Sequence, residues 1–141
     1  MEGILEPNEL IIECLEVEGD VWVAHLNNIE VASTREVEVK RLTKIAAHTL
    51  SLSPPSVALI GGGFGILSKL LPSTIDMDVY ELYPQLAPYN INHNVILGDF
   101  HTTLPASNKL YHVILNDTDA HYDFSPYLLQ SGVYVDGNNS L

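Results

Sequence analysis

The sequence predicts an α/β fold: a mostly parallel sheet with crossover helices, preceded by an N-terminal β-hairpin. Three observations carry this. Val57-Ala58-Leu59-Ile60 runs into Gly61-Gly62-Gly63-Phe64-Gly65, and an apolar helical pattern follows in Ile66, Leu67, Leu70 and Leu71. Three more short apolar runs come after it, at 75–81, 94–99 and 111–117, and each closes on an acid: Glu81, Asp99 and Asp117. Near the start, two strand-like runs flank Glu18-Gly19-Asp20, a hairpin turn. Strands that alternate with helical stretches argue for parallel pairing through crossovers.

The elements follow in order. Residues 10–17 and 21–32 read as two strands. Ile12, Cys14 (or Leu15) and Val17 alternate, as do Val21, Val23 and His25 against Trp22 and Ala24. Ser33-Thr34-Arg35-Glu36 reads as a capping box, because Glu36 falls three residues after Ser33. A helix to about Leu50 is expected, with Val39, Leu42, Ile45, Ala46 and Thr49 on its inner face. Ser51-Leu52-Ser53-Pro54-Pro55-Ser56 breaks it. Between the second and third parallel strands, Pro84 and Pro88 limit any helix to a short one. Residues 127–130 read as a helical turn, 132–136 as a fifth strand, and 136–141 as a turn or frayed tail. The expected organisation is a hairpin region at 1–34 and a nucleoside-binding domain at 35–141, together one compact unit.

Composition sets bounds. At 141 residues with 46% apolar content, one globular domain with a single core is expected. No apolar run approaches the roughly 18 residues of a membrane span, so no membrane partner is expected. Met1-Glu2-Gly3-Ile4-Leu5-Glu6-Pro7 lacks the basic region of a signal peptide. The single cysteine, Cys14, fits a reducing cytoplasm and reads as a half-buried strand residue. Six scattered histidines give no metal-ligand spacing, so no metal is expected. Net charge is −12 with only six Lys and Arg, which disfavours nucleic acid and suits a cationic small-molecule substrate.

The glycine cluster lets the backbone take up positive φ and lets a ligand approach closely. The helix start beyond it offers unpaired N–H groups. Glu81 lies 20 residues after Gly61, the interval at which a carboxylate accepts hydrogen bonds from ribose hydroxyls. Glu81, Asp99 and Asp117 all sit at carboxyl ends of expected strands, where open α/β sheets bind ligands. For any single acid the simpler reading is a helix cap or a solvated turn.

In the order of these parts the chain resembles a shortened, divergent spermidine synthase, with the Rossmann-like fold of the S-adenosylmethionine-dependent methyltransferases. The residues that carry the likeness are Ile60-Gly61-Gly62-Gly63-Phe64-Gly65-Ile66, Glu81, Gly98-Asp99 and Asn116-Asp117-Thr118-Asp119. The resemblance implies a sheet truncated at its C-terminal end. It also implies a role for each match. Gly61, Gly63, Phe64 and Gly65 would lie beside the nucleoside and its tail, Glu81 would hold the ribose, and Asp99 the adenine amino group. Asp117 would take a proton from an attacking amine, which has no lone pair until it loses one. The implied donor is S-adenosylmethionine or its decarboxylated form, and the implied reaction moves an aminopropyl or methyl group to a small amine acceptor.

The chain departs from that family at three places. Phe64 stands where the family has an Asp beside the cationic tail, so decarboxylated donor is not expected to be preferred. At the start of the first helix, Val39 replaces a Tyr and Arg41 replaces a Glu. Two other readings stand beside the transferase: a catalytically degenerate nucleoside-binding or structural member of the same fold, and a dinucleotide-binding domain. Against the last, Ile66 occupies the place of the third glycine. The early end at Leu141 implies an exposed sheet edge, from which a homo-oligomer is expected.

Overall fold

The computed structural model describes residues 10–15 and 19–137. The expectations for residues 1–9, for Val17 and Glu18, and for the tail at 138–141 lie outside the described residues.

The first sheet is antiparallel, in the order β1 (Ile11–Leu15), β2 (Val21–Leu26), β3 (Ile29–Ser33). Gly19 and Asp20 take positive φ at the foot of β2, as the expected turn requires. The single strand expected at 21–32 is in fact two. Asn27 and Asn28 take φ of 53° and 63°, and the chain reverses there. Asn tolerates the left-handed region because its short amide bonds to local backbone, and two successive positive φ values match the twist of a tight hairpin. Half-buried Cys14 pairs with Trp22 across β1 and β2.

Helix α1 (Glu36–Ser51) follows, without the expected capping box. The cap position is Arg35, and no side chain caps it. Ser33 and Thr34 still belong to the hairpin: Ser33 Oγ accepts from Arg35 N at 3.3 Å, and Thr34 Oγ1 accepts from Trp22 N at 2.8 Å. Leu42, Ile45, Ala46 and Thr49 are buried as expected, but Val39 is exposed. Its turn, which also carries Glu38 and Arg41, borders a cavity rather than the sheet's apolar face.

The second sheet is parallel and five-stranded, in the order β6-β5-β4-β7-β8. Its strands are β4 (Ser56–Ile60), β5 (Asp76–Glu81), β6 (Asn94–Leu97), β7 (Tyr111–Asn116) and β8 (Leu128–Asp136). Helix α2 (Ile66–Leu70) lies after β4 and α3 (Phe100–Ala106) after β6. The proline-bearing stretch after β5 holds only a 3₁₀ turn at Ala87–Tyr89. The helical turn expected at 127–130 is not there. A 3₁₀ turn occupies Ser125–Tyr127, and β8 begins at Leu128, earlier than the expected 132. Leu128 pairs with Tyr111 and packs in the core, so the apolar pair Leu128-Leu129 extends a strand.

Alternation along the strands divides the core into two faces. Val57 and Leu59 of β4, with Met77, Val79, Val113 and Leu115, pack under α1 and α2. Ala58, Ile60, Tyr80 and Ile114 face the other way, under Leu104 of α3. The connection from β7 to β8 has no α-helix, and aromatic side chains cover the sheet in its place. Phe124 stacks on Phe100 with ring centroids 5.5 Å apart, and Tyr122 meets Phe124 edge-on at 5.1 Å.

A third cluster joins the two sheets. Phe64, only 4% exposed, packs with Leu10, Ala24 and Leu86, and its ring meets Tyr89 edge-on at 5.0 Å. The aromatic ring in the glycine loop thus anchors the antiparallel sheet. Phe64→Ala is expected to lower folding stability by about 3–5 kcal/mol, as for other buried aromatic truncations, and Phe64→Leu by clearly less. Chemical denaturation checks this, and a loss below about 1 kcal/mol for the alanine variant would take the ring out of the core.

Candidate functional site

Register brings the strand ends into one row. Ile60 pairs with both Tyr80 and Asn116, and Glu81 pairs with Leu97. The ladder runs one step further: Gly61 N donates to Tyr80 O at 2.9 Å, Asp117 N to Ile60 O at 2.9 Å, and Gly98 N to Glu81 O at 3.0 Å. The glycine loop, Glu81, Asp99 and Asp117 therefore share the carboxyl edge of the sheet. The chain passes from β4 to β5 on one side and reaches β7 on the other, which opens a crevice at that edge. A cavity of about 540 Å³ lies there, bordered by all four elements and walled by β3 and α1. Its size falls within the roughly 300–1,000 Å³ of small-molecule sites.

The loop is held from below by Glu81. This carboxylate is 3% exposed. Its Oε1 accepts from Gly62 N at 3.0 Å and Gly63 N at 2.9 Å, and its Oε2 accepts from Tyr83 N at 2.9 Å. Burial pushes its pKa above the ordinary carboxylate value, and the backbone N–H groups of Tyr83, Gly63 and Gly62 pull the other way. Gly65 takes φ of 76°, and a Cβ there would collide with the Tyr89 carbonyl, so that position tolerates only glycine. Gly61 lies tight against Thr118 and the Asp117 carbonyl. Gly63 differs: a Cβ on it would meet only Ala32 of β3, at 3.7 Å, an ordinary contact, and the residue borders the cavity.

Asp99 caps α3. Its Oδ1 accepts from His101 N at 3.0 Å and from His101 Nδ1 at 2.7 Å, and these bonds hold its pKa below the usual value. No other described residue binds its Oδ2, and the side chain is exposed at the cavity rim. Phe64 borders the cavity with its loop, while its ring belongs to the apolar cluster.

Asp117 has one oxygen held and one open. Arg41 Nη1 donates to its Oδ1 at 2.9 Å, and no other described residue binds Oδ2. Burial pushes its carboxyl up to about 6 against the pull of Arg41, and the charges of Glu38 and Asp119 add to the rise. Arg41 is the site residue that sequence reasoning did not place. From α1 it reaches Glu38 through Nε at 3.2 Å and Nη2 at 2.7 Å, and Nη1 also donates to Gly137 O at 2.7 Å. Its bond to Glu38, together with Asp117, holds it charged well above the ordinary range. Glu38 three residues earlier is a visible helix-face pair, but nothing in the sequence links Arg41 to Asp117, 76 positions away. Among the described residues the cavity is strongly acidic: Glu30, Glu38, Glu81, Asp99, Asp117 and Asp119 border it, and Arg41 is the one Arg or Lys that does.

No family model matches the chain, and no curated protein is similar to it in sequence. Solved structures do match. A Staphylococcus aureus protein assigned as a caffeoyl-CoA O-methyltransferase superposes with a TM-score of 0.55 at 14% identity, over 75% of this chain and 59% of its own. A Podospora anserina methyltransferase with SAH bound gives 0.54 at 13% identity, over 73% and 53%. The glycopeptide N-methyltransferase MtfA gives 0.50 at 13%, over 67% and 52%. The chain spans between half and three-fifths of the length of these structures. The likeness is one of fold: the chain has the Rossmann-like fold of the S-adenosylmethionine-dependent methyltransferases. None of the three is a spermidine synthase.

The raised pKa of Asp117 has a signed consequence. A carboxyl that holds its proton more tightly when folded stabilises the fold most below its unfolded value of about 3.9, and loses that contribution as pH rises through about 6. Asp117→Asn removes the titration. Relative to the wild type, the variant is expected to gain on the order of 2 kcal/mol between pH 4 and pH 7. Denaturation curves at several pH values check this, and a difference that stays flat with pH would show that Asp117 does not titrate there.

Proposed function

We propose that the chain binds an S-adenosylmethionine-type donor in this cavity and transfers its methyl group to a small acceptor. The observation that supports this most is the placement of Glu81: a buried carboxylate at the end of β5, beneath a glycine loop whose Gly63 borders the cavity, with Asp99 just past the end of the next strand. That is a floor for ribose hydroxyls and a rim for a purine amino group. The chemistry of the wall fits such a donor as well. A sulfonium and an ammonium are cationic, and six carboxylates border the cavity against one guanidinium. When bound, the donor supplies an electrophilic carbon.

The chain's own residues then have distinct tasks. Oε1 of Glu81 already accepts two backbone N–H groups and Oε2 accepts from Tyr83 N, so a ribose hydroxyl would be met at Oε2. Asp99 offers its open Oδ2. Asp117, with Oδ1 fixed by Arg41 and its pKa near 6, offers Oδ2 as a proton acceptor close to neutral pH. A second reading is nucleoside binding without transfer. The ion pair between Arg41 and Asp117 favours it, because it holds the candidate base against a permanent cation. An aminopropyl transfer is supported by neither Arg41 nor Phe64.

Calorimetric titration separates these readings. S-adenosylhomocysteine and 5′-methylthioadenosine are expected to bind and NAD is not; the reverse would overturn the proposal. Glu81→Gln is expected to weaken the nucleosides by about 1.5–3 kcal/mol, the scale of a hydrogen bond to a charged group. Methyl-labelled donor offered with a panel of small amines and phenols tests transfer, and Asp117→Asn is expected to lower turnover about a hundredfold or more while nucleoside affinity holds. Tight nucleoside binding with no labelled product from any acceptor would decide for the second reading.

A further inference from the structure

We propose that Arg41 selects the form of the donor that keeps its α-carboxylate, by receiving that carboxylate on its guanidinium. The inference rests on the nucleoside reading above and adds to it which tail the site accepts.

The argument begins from charge. A donor tail that ends in both an ammonium and a carboxylate must place one negative group inside a cavity bordered by six carboxylates. Of the loop's backbone N–H groups, Gly61 N is committed to Tyr80 O, Gly62 N and Gly63 N to Glu81 and Gly65 N to Gly62 O, and those left over carry no full charge to balance a carboxylate. His101 stands at the rim with its Nδ1 on Asp99, at the end assigned to the base. Among the described residues no lysine borders the cavity. Arg35 has its guanidinium on Glu30 and does not border the cavity. Arg41 remains, and its place suits the task. It sits against Asp117, whose carbonyl lies tight against Gly61, so its guanidinium is continuous with the start of the glycine loop.

Arg41 has the capacity as well. Its five N–H groups make four protein bonds, two to Glu38 and one each to Asp117 and Gly137 O. One N–H is uncommitted, and the bond to Asp117 is to a carboxyl that burial already drives toward its neutral form. A tail carboxylate can therefore share the guanidinium, while the ammonium of the same tail meets the surrounding acids. A decarboxylated tail brings only its ammonium to a place where a guanidinium stands, and like charges repel. Arg41 also stands where the resemblance calls for a Glu, so the charge offered at this point is reversed.

The test compares affinities of S-adenosylhomocysteine and its decarboxylated form by calorimetry, with 5′-methylthioadenosine, which lacks the tail, as reference for the nucleoside pocket. The wild type is expected to bind S-adenosylhomocysteine at least tenfold more tightly than the decarboxylated form. Arg41→Gln is expected to abolish or reverse that preference, and Arg41→Lys to keep it in part. Because the ratio is taken within each variant, a general weakening of the pocket cancels. If Arg41→Gln does not fold, the wild-type ratio and Arg41→Lys decide. Equal affinity for the two forms in the wild type, or an unchanged preference in Arg41→Gln, overturns this inference while methylthioadenosine binding leaves the nucleoside reading standing. No binding of any of the three overturns both.

Discussion

The carboxyl edge of this molecule depends on one buried carboxylate and the backbone it holds. Glu81 is nearly inaccessible to water, and a charge there is tolerable only if its lone pairs are filled. The N–H groups of Gly62, Gly63 and Tyr83 occupy three of its roughly four acceptor sites. The same bonds fix the loop, because Gly62 and Gly63 can both point at Oε1 only in a conformation with positive φ nearby, at Gly61 and Gly63. Once the loop is fixed, its other features follow. Gly65 must pass under the Tyr89 carbonyl, and Phe64 is thrown outward to where the antiparallel sheet can pack on it. Glu81 is thus a structural clamp first, and any ligand role uses the acceptor capacity that remains.

A second charge cluster balances the first. Arg41 ties α1 to the end of β7 and to the turn after β8, through Glu38, Asp117 and Gly137. Without Arg41, Asp117 would be a partly buried carboxylate facing Glu38 and Asp119; with it, the carboxyl still sits well above its ordinary value. Such a pair adds little net stability, since desolvation offsets much of the attraction. What it fixes is orientation: one oxygen of Asp117 is held by Arg41, and no described residue binds the other. The same contact explains why the first turn of α1 faces the site and leaves Val39 exposed.

The parallel sheet was legible in the sequence because buried strands announce themselves. Runs such as Val57-Ala58-Leu59-Ile60, closed by glycine or acid, leave little alternative, and the acids of the carboxyl edge were legible because each closes its strand, Glu81 and Asp117 at one level and Asp99 two residues beyond. The misreadings share a cause: local signals decided by distant contacts. Asn27-Asn28 lacks the glycine that marks a tight turn, so β2 and β3 read as one strand. Ser33 and Glu36 have the spacing of a cap, but pairing of β3 with β2 keeps Ser33 in the sheet and the helix starts later. Leu128 to Gln130 is short and apolar enough for either helix or strand, and the pairing of Leu128 with Tyr111 decides for strand. Arg41 looked like a departure from a family pattern; only the fold sets it beside Asp117.

The three departures have one physical sense. A site built for an all-cationic tail and a diamine needs free carboxylates and hydroxyls, and each departure removes or engages such a group. Phe64 turns a loop position into an apolar anchor, Val39 takes away a hydroxyl at the helix start, and Arg41 engages both Glu38 and Asp117. What is left is a cavity still acidic enough for a sulfonium but with a fixed positive charge on one wall. On the proposed reading such a wall would distinguish ligands by where their own charges lie: it would accept a zwitterionic tail, whose two ends each find an opposite charge, and resist one that is cationic throughout. On that reading the charge pattern of the wall, more than a glycine motif shared with so many nucleotide-binding folds, would separate this site from one that transfers an aminopropyl group.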